Sequence, residues 1–102
     1  MWFTFRSREE GSVKTVKAII RGKVQGVGYR YWAERAARAE GVSGTVRNRR
    51  DGAVELVVSG DDGRVDALLA KCRGGPALAQ VSGIDVSETD WSGTGFSILP
   101  TA

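Results

Sequence analysis

Hydrophobic and polar positions alternate through KTVKAIIRG, residues 14–22. Val16, Ala18 and Ile20 fall on one face, and Lys17, Ile19 and Arg21 on the other, which is the period of a half-buried strand. The period then changes. In YRYWAERAARAEG the apolar residues at 29, 32, 33 and 36 have helical spacing, and Gly41 is placed to stop the helix. VSGTVRN returns to a short strand, RRDG supplies a turn with the Asp51-Gly52 dipeptide, and AVELVVSG forms the partner strand with Val54, Leu56 and Val58 on one face. A second helical stripe of Val65, Leu68, Leu69 and Cys72 follows in DDGRVDALLAKCRGG, with Asp61 or Asp62 as its N-cap and Gly74 as its end. A fourth strand is predicted near residues 79–88, and Phe96 and Ile98 in GFSIL mark a short last one.

The predicted order is β-α-β-β-α-β plus a C-terminal β. That is the α+β, ferredoxin-like split-βαβ arrangement, an antiparallel sheet with two helices on one face. A chain of 102 residues fits one domain. Residues 13–102 carry the pattern. Residues 1–12 have no periodicity and are expected to be a flexible arm.

Composition narrows the function. No stretch nears about 18 apolar residues, so no transmembrane helix is expected. The opening MWFTFRSREEGS lacks the apolar run of a secretory signal. The single cysteine, Cys72, excludes an internal disulfide and suits a cytoplasmic protein. Its place on the helical stripe points to packing rather than nucleophilic work. There is no histidine, which removes the commonest general base, the Ser-His and Cys-His pairs and most zinc sites. No metal and no cofactor are expected. The net charge of +3 hides an asymmetry: residues 1–50 carry 12 basic and 4 acidic side chains, and residues 51–102 carry 3 and 8. An anionic ligand is therefore expected in the first half.

That half contains GKVQGVGYR, residues 22–30, between the first strand and the first helix. Amides at a helix start lack helical partners, and the helix dipole favours an anion there. Glycines let successive N–H groups converge into a nest for phosphate, and Arg30 would add a guanidinium fork. Neither G-x-x-x-x-G-K-[ST] nor G-x-G-x-x-G is present, so nucleotide readings are weak. In the plainer reading the glycines only turn the chain and Arg30 pairs with Glu34 at i+4. The pattern alone leaves both open.

Two motifs go further. VQGVGYR, residues 24–30, matches a V-Q-G-V-x-[FY]-R loop. Gly44, Val46, Arg47, Asn48, Gly52, Val54 and Gly60 match G-aromatic-V-[KR]-N, a three-residue gap, G-x-V, a five-residue gap and G. With GGPALAQV later in the chain, residues 14–99 resemble the acylphosphatase family. One departure is Thr45, which stands where the family has an aromatic residue, beside the expected site.

The resemblance implies hydrolysis of acyl phosphates to a carboxylate and inorganic phosphate, without a metal, by attack of water on phosphorus. It implies that Arg30 and the loop of Val24, Gln25, Gly26, Val27, Gly28 and Tyr29 bind the phosphoryl group and that Asn48 holds the water. Inorganic phosphate would be both product and competitive inhibitor, and the chain a monomer with no nucleic-acid or membrane partner. A single-strand-binding module of the same fold would carry aromatics on its open sheet face, and Lys17, Ile19, Arg21, Glu55 and Val57 include none. A domain of a larger carbamoyl-transfer enzyme is disfavoured by the chain length. Trp32 is expected in the core, Glu34 and Arg38 as a helix pair, and Arg47, Arg49 and Arg50 as a solvated turn or a steering patch.

Overall fold

The computed structural model describes residues 12–102, so the arm expected over residues 1–12 lies outside the described residues except for Ser12. The elements are β1 (Val13–Lys23), α1 (Tyr29–Glu40), β2 (Ser43–Asn48), β3 (Val54–Asp61), α2 (Asp62–Cys72), β4 (Gln80–Glu88) and β5 (Phe96–Ile98). They follow the predicted order. The strands form one sheet, β4-β1-β3-β2-β5.

Alternation decides which face is covered. Val16, Ala18, Ile20, Val46, Val54, Leu56 and Val58 are all buried, and on them sit Tyr29, Ala33 and Ala37 of α1 and Val65, Leu68 and Cys72 of α2. Both helices therefore lie on one face, and Trp32 is partly buried against the same core. The other face carries Lys17, Ile19, Glu55 and Val57, all half-buried, and the more exposed Arg21.

Two details differ from the sequence expectation, and one alternative it left open is resolved. The sheet is not wholly antiparallel, because β5 pairs with β2 in parallel. The register explains this: β4 ends where β1 begins, Glu88 facing Val16, so the chain crosses that end of the sheet and runs beside β2 in the same direction. Beyond β5 the ladder continues, Leu99 N–H donating to the Val46 carbonyl and Ala102 N–H to the Asn48 carbonyl. Second, α2 ends at Cys72 and not at Gly74; the left-handed residue is Gly75, where a side chain would begin 2.6 Å from the ring of Tyr29. The open alternative at the start of α2 resolves to Asp61, whose carboxylate accepts from Gly63 N–H at 3.1 Å and Arg64 N–H at 3.3 Å. Asp62 occupies the first turn.

One register fact positions the site. Ile20 and Asn48 both pair with Val54. The exit of β1 and the end of β2 therefore lie at the same end of the sheet.

Candidate active site

Near its end β1 carries a bulge against β4 between Arg21 and Gly22, after which Gly22 and Lys23 still pair with Val81 and Gln80. Gly22 has φ +122, and a side chain there would collide with the Gln80 carbonyl of β4. The first of the three clustered glycines thus serves a close backbone approach. The other two shape the loop: Gly26 and Gly28 have φ +75 and +79, a left-handed conformation that costs other residues about 1–2 kcal/mol.

Between these turns, apolar side chains pin the loop down. Val24 is buried, Val27 packs against the core, and Tyr29 is buried with its hydroxyl donating to the Cys72 carbonyl at 2.5 Å. Burying a valine side chain contributes roughly 1.5–3 kcal/mol. The polar backbone is left outward. Gly28 caps α1 with no side-chain bond, and the first turn carries no acidic residue. The first hydrogen bond of α1 runs from Trp32 N–H to the Gly28 carbonyl at 3.0 Å. Among the described residues, the amides of residues 25–31 donate to no backbone carbonyl. Unpaired amides at a helix start form an anion nest.

Arg30 follows the buried Tyr29, so the helix turns its side chain away from the core. It makes no hydrogen bond or ion pair among the described residues, and its guanidinium carbon lies 5.9 Å from the centroid of the exposed Tyr31 ring. The plainer pairing with Glu34 is not made. Glu34 instead pairs with Arg38 at 3.3 Å, as expected for a helix pair.

Asn48 is the last residue of β2. Its carbonyl accepts from Ala102 N–H at 3.0 Å, and it shares the helix-side parity of the buried Val46. The loop connects the sheet to the helix layer at this same end, so Asn48 stands on the loop's side of the sheet. The two segments touch through Gln25. Its Nε2 donates to the Arg49 carbonyl at 2.7 Å and to the Ala53 carbonyl at 2.9 Å, at either end of the β2–β3 turn. The sequence reading placed Gln25 in the loop but missed this side-chain strut. Its one signal was a long polar side chain between the apolar Val24 and Gly26.

Thr45 lies three residues before Asn48, hence on the opposite face of β2, where it pairs with Val57 and Ser97. The departure from the family pattern is thus on the open face. The arginines of the turn are mostly committed: Arg47 to Glu55 at 3.0 Å, and Arg49 to Asp51 at 3.0 Å and Glu55 at 3.7 Å. The bond from Arg49 and a further one from Ala53 N–H hold the Asp51 carboxyl below its ordinary range. A cavity of about 720 Å³ at the start of β1 is lined by Lys14, Asp62, Glu88 and Asp90, an acidic balance unsuited to an anion. Burial pushes the Cys72 thiol up to about 11, which leaves it a poor nucleophile.

An uncapped helix start with left-handed glycines, an adjacent arginine and a strand-end amide is an arrangement able to hold an anion. Comparison with known proteins narrows it. The acylphosphatase family model matches residues 16–98. The chain is 52% identical over 89 residues to an acylphosphatase of Methylococcus capsulatus, covering 85% of this chain and 97% of that one. It is 48% identical over 89 residues to an acylphosphatase of Azorhizobium caulinodans, covering 85% and 96%. The crystal structure of acylphosphatase from Bacillus subtilis superposes with a TM-score of 0.79 at 30% identity, covering 86% of this chain and 99% of that one. The chain belongs to the acylphosphatase family, and it is a hydrolase of acyl phosphates. No helix among the described residues is long and apolar enough to cross a membrane.

Proposed function

We propose that the amides of residues 24–29 and the guanidinium of Arg30 hold the phosphoryl group of an acyl phosphate while Asn48 orients the attacking water. The observation that supports this reading is the join at one end of the sheet: Gln25, in the loop that carries the left-handed glycines and leads to Arg30, donates to the carbonyls of Arg49 and Ala53, on the turn that follows Asn48.

The chemistry asks for little more. The leaving group is a carboxylate whose acid has a pKa of about 4, so it departs without a proton. Phosphoryl transfer runs through a loose transition state, in which positioning and electrostatics carry most of the catalysis. An arginine on the phosphoryl oxygens contributes roughly 10³–10⁵ in rate in related reactions. Asn48 orients water but is a poor base, so the water's proton passes to a phosphoryl oxygen of the substrate. Carboxylate and inorganic phosphate leave, and phosphate, matching the same nest, competes with substrate. All these groups come from one chain, which acts as a monomer, and the lone buried thiol suits the cytoplasm.

Asn48→Ala tests the division of labour. A water-holder matters chiefly in the transition state, so kcat falls strongly while phosphate inhibition changes little. A folded Asn48→Ala protein with unchanged kcat removes Asn48 from the mechanism.

A further inference from the structure

We infer that the side chain of Gln25 is a positioning residue: it sets the distance between the phosphate loop and Asn48, and so aims the water held at Asn48 at the bound phosphorus. This rests on the assignment of Asn48 above and gives the side chain of Gln25, a member of the first motif, a role separate from that of the loop amides.

The geometry is specific. A single amide nitrogen donates to two carbonyls, Arg49 at 2.7 Å and Ala53 at 2.9 Å, which uses both of its hydrogens. Those carbonyls belong to the two sides of the turn that closes β2 and β3. Arg49 directly follows Asn48, and Ala53 directly precedes Val54, the residue with which Asn48 pairs. No other side chain among the described residues links the loop of residues 24–28 to this turn by a hydrogen bond. The site's two halves otherwise arrive from different layers, the nest from the start of α1 and Asn48 from the end of β2.

Removing the strut leaves no bare carbonyl. The Arg49 carbonyl still accepts from Gly52 N–H at 3.1 Å, and the Ala53 carbonyl from Arg49 N–H at 2.9 Å. The loop keeps its anchors at Val24, Val27 and Tyr29, and the turn keeps its Asp51 bond to Ala53 N–H at 3.0 Å. Loss of Gln25 therefore costs little stability, while the spacing of nest and Asn48 relaxes. A misplacement near 1 Å lowers rate by up to about 10²-fold. Phosphate affinity, which depends on the nest and Arg30 alone, is insulated.

The test is a double-mutant cycle in kcat between Gln25→Leu and Asn48→Ala, with phosphate inhibition and thermal midpoint measured on every variant. Gln25→Asn, one methylene too short to reach both carbonyls, serves as a second probe should the leucine variant fold poorly. The expected result is a fall in kcat of about 10- to 100-fold for Gln25→Leu, with phosphate inhibition altered by less than about threefold. In the Asn48→Ala background the same change has almost no further effect, because the group it positions is gone. Multiplying losses, or normal kcat with a lowered thermal midpoint, overturn the inference while leaving the role of Asn48 intact. Unchanged kcat in Asn48→Ala itself overturns the role of Asn48 and the inference with it.

Discussion

Ile20 and Asn48 stand level across the sheet, two strands apart, each paired with Val54. From that register the site follows. The chain leaves β1 past Lys23 for the helix layer, at the end where β2 presents Asn48. Strand pairing by itself thus brings the proposed phosphate nest and the proposed water-holder to one end of the sheet.

The glycines of this region are expected to differ sharply. Gly28→Ala places a side chain in open space but at φ +79, a strain of about 1–2 kcal/mol. The variant folds with a thermal midpoint lower by several degrees, and phosphate inhibits it less. Gly44→Ala drives a side chain into the Val57 carbonyl across the β2–β3 pair at φ +151, and is expected not to fold. Gly83→Ala, with no neighbour within 4 Å and no positive φ, should match the parent. Thermal melts of the three variants check the order.

Stability is expected to fall above about pH 9. Burial raises the Cys72 thiol from 9.0 to about 11 and also raises Tyr29, first through desolvation and then through Cys72. Between pH 9 and 11 the unfolded chain has lost the thiol proton that the folded chain keeps, so the folded state binds more protons and stability declines as pH rises. Cys72→Ala removes the thiol's part of that slope. Denaturant midpoints from pH 7 to 11 measure it, and the native thiol should resist alkylation at pH 7.

Much of this was legible in the sequence because the signals are local. Gly41 ends α1 in the left-handed conformation, as its position predicted, and Asp51-Gly52 turns the hairpin. Non-local features were not legible. A three-residue strand such as Phe96–Ile98 carries no mark of its partner, so its parallel pairing to β2 depended on where β4 ended. The end of α2 was misjudged because Gly75, not Gly74, answers to the packing of Tyr29 from another element. Gln25 was read through its backbone alone, since its side-chain acceptors are carbonyls, which leave no trace in residue identity. The Glu34–Arg38 pair was legible from its spacing of four, whereas that Arg30 leaves Glu34 alone needed coordinates, its spacing being four as well.

Arg30→Ala is expected to lower kcat/KM by about 10³ or more, because the phosphoryl oxygens lose their guanidinium partner. The fold should survive, as Arg30 makes no hydrogen bond or ion pair among the described residues. Arg30→Lys should recover little, since an ammonium lacks the two-pronged fork. Circular dichroism beside initial rates makes the check, and near-parental kcat/KM in the lysine variant contradicts the clamp.

The pH–rate profile should contain no limb from an enzyme histidine, because the chain has none. A bend near pH 6 then belongs to the substrate's phosphate and moves when that phosphate's pKa is changed. Chelator should leave the rate unaltered, since no group of three potential metal-binding side chains occurs among the described residues. A bend that stays fixed across substrates, or activity lost in chelator and restored by Mg²⁺, contradicts the account.

The central claim is that this site holds phosphorus, and not the carbonyl carbon, in line with the water. Hydrolysis of an acyl phosphate in ¹⁸O-labelled water, at enzyme levels where the uncatalysed reaction is negligible, reads it directly by mass spectrometry of both products. The account predicts label in the inorganic phosphate and none in the carboxylate. Label in the carboxylate would place the attack on carbon and contradict it.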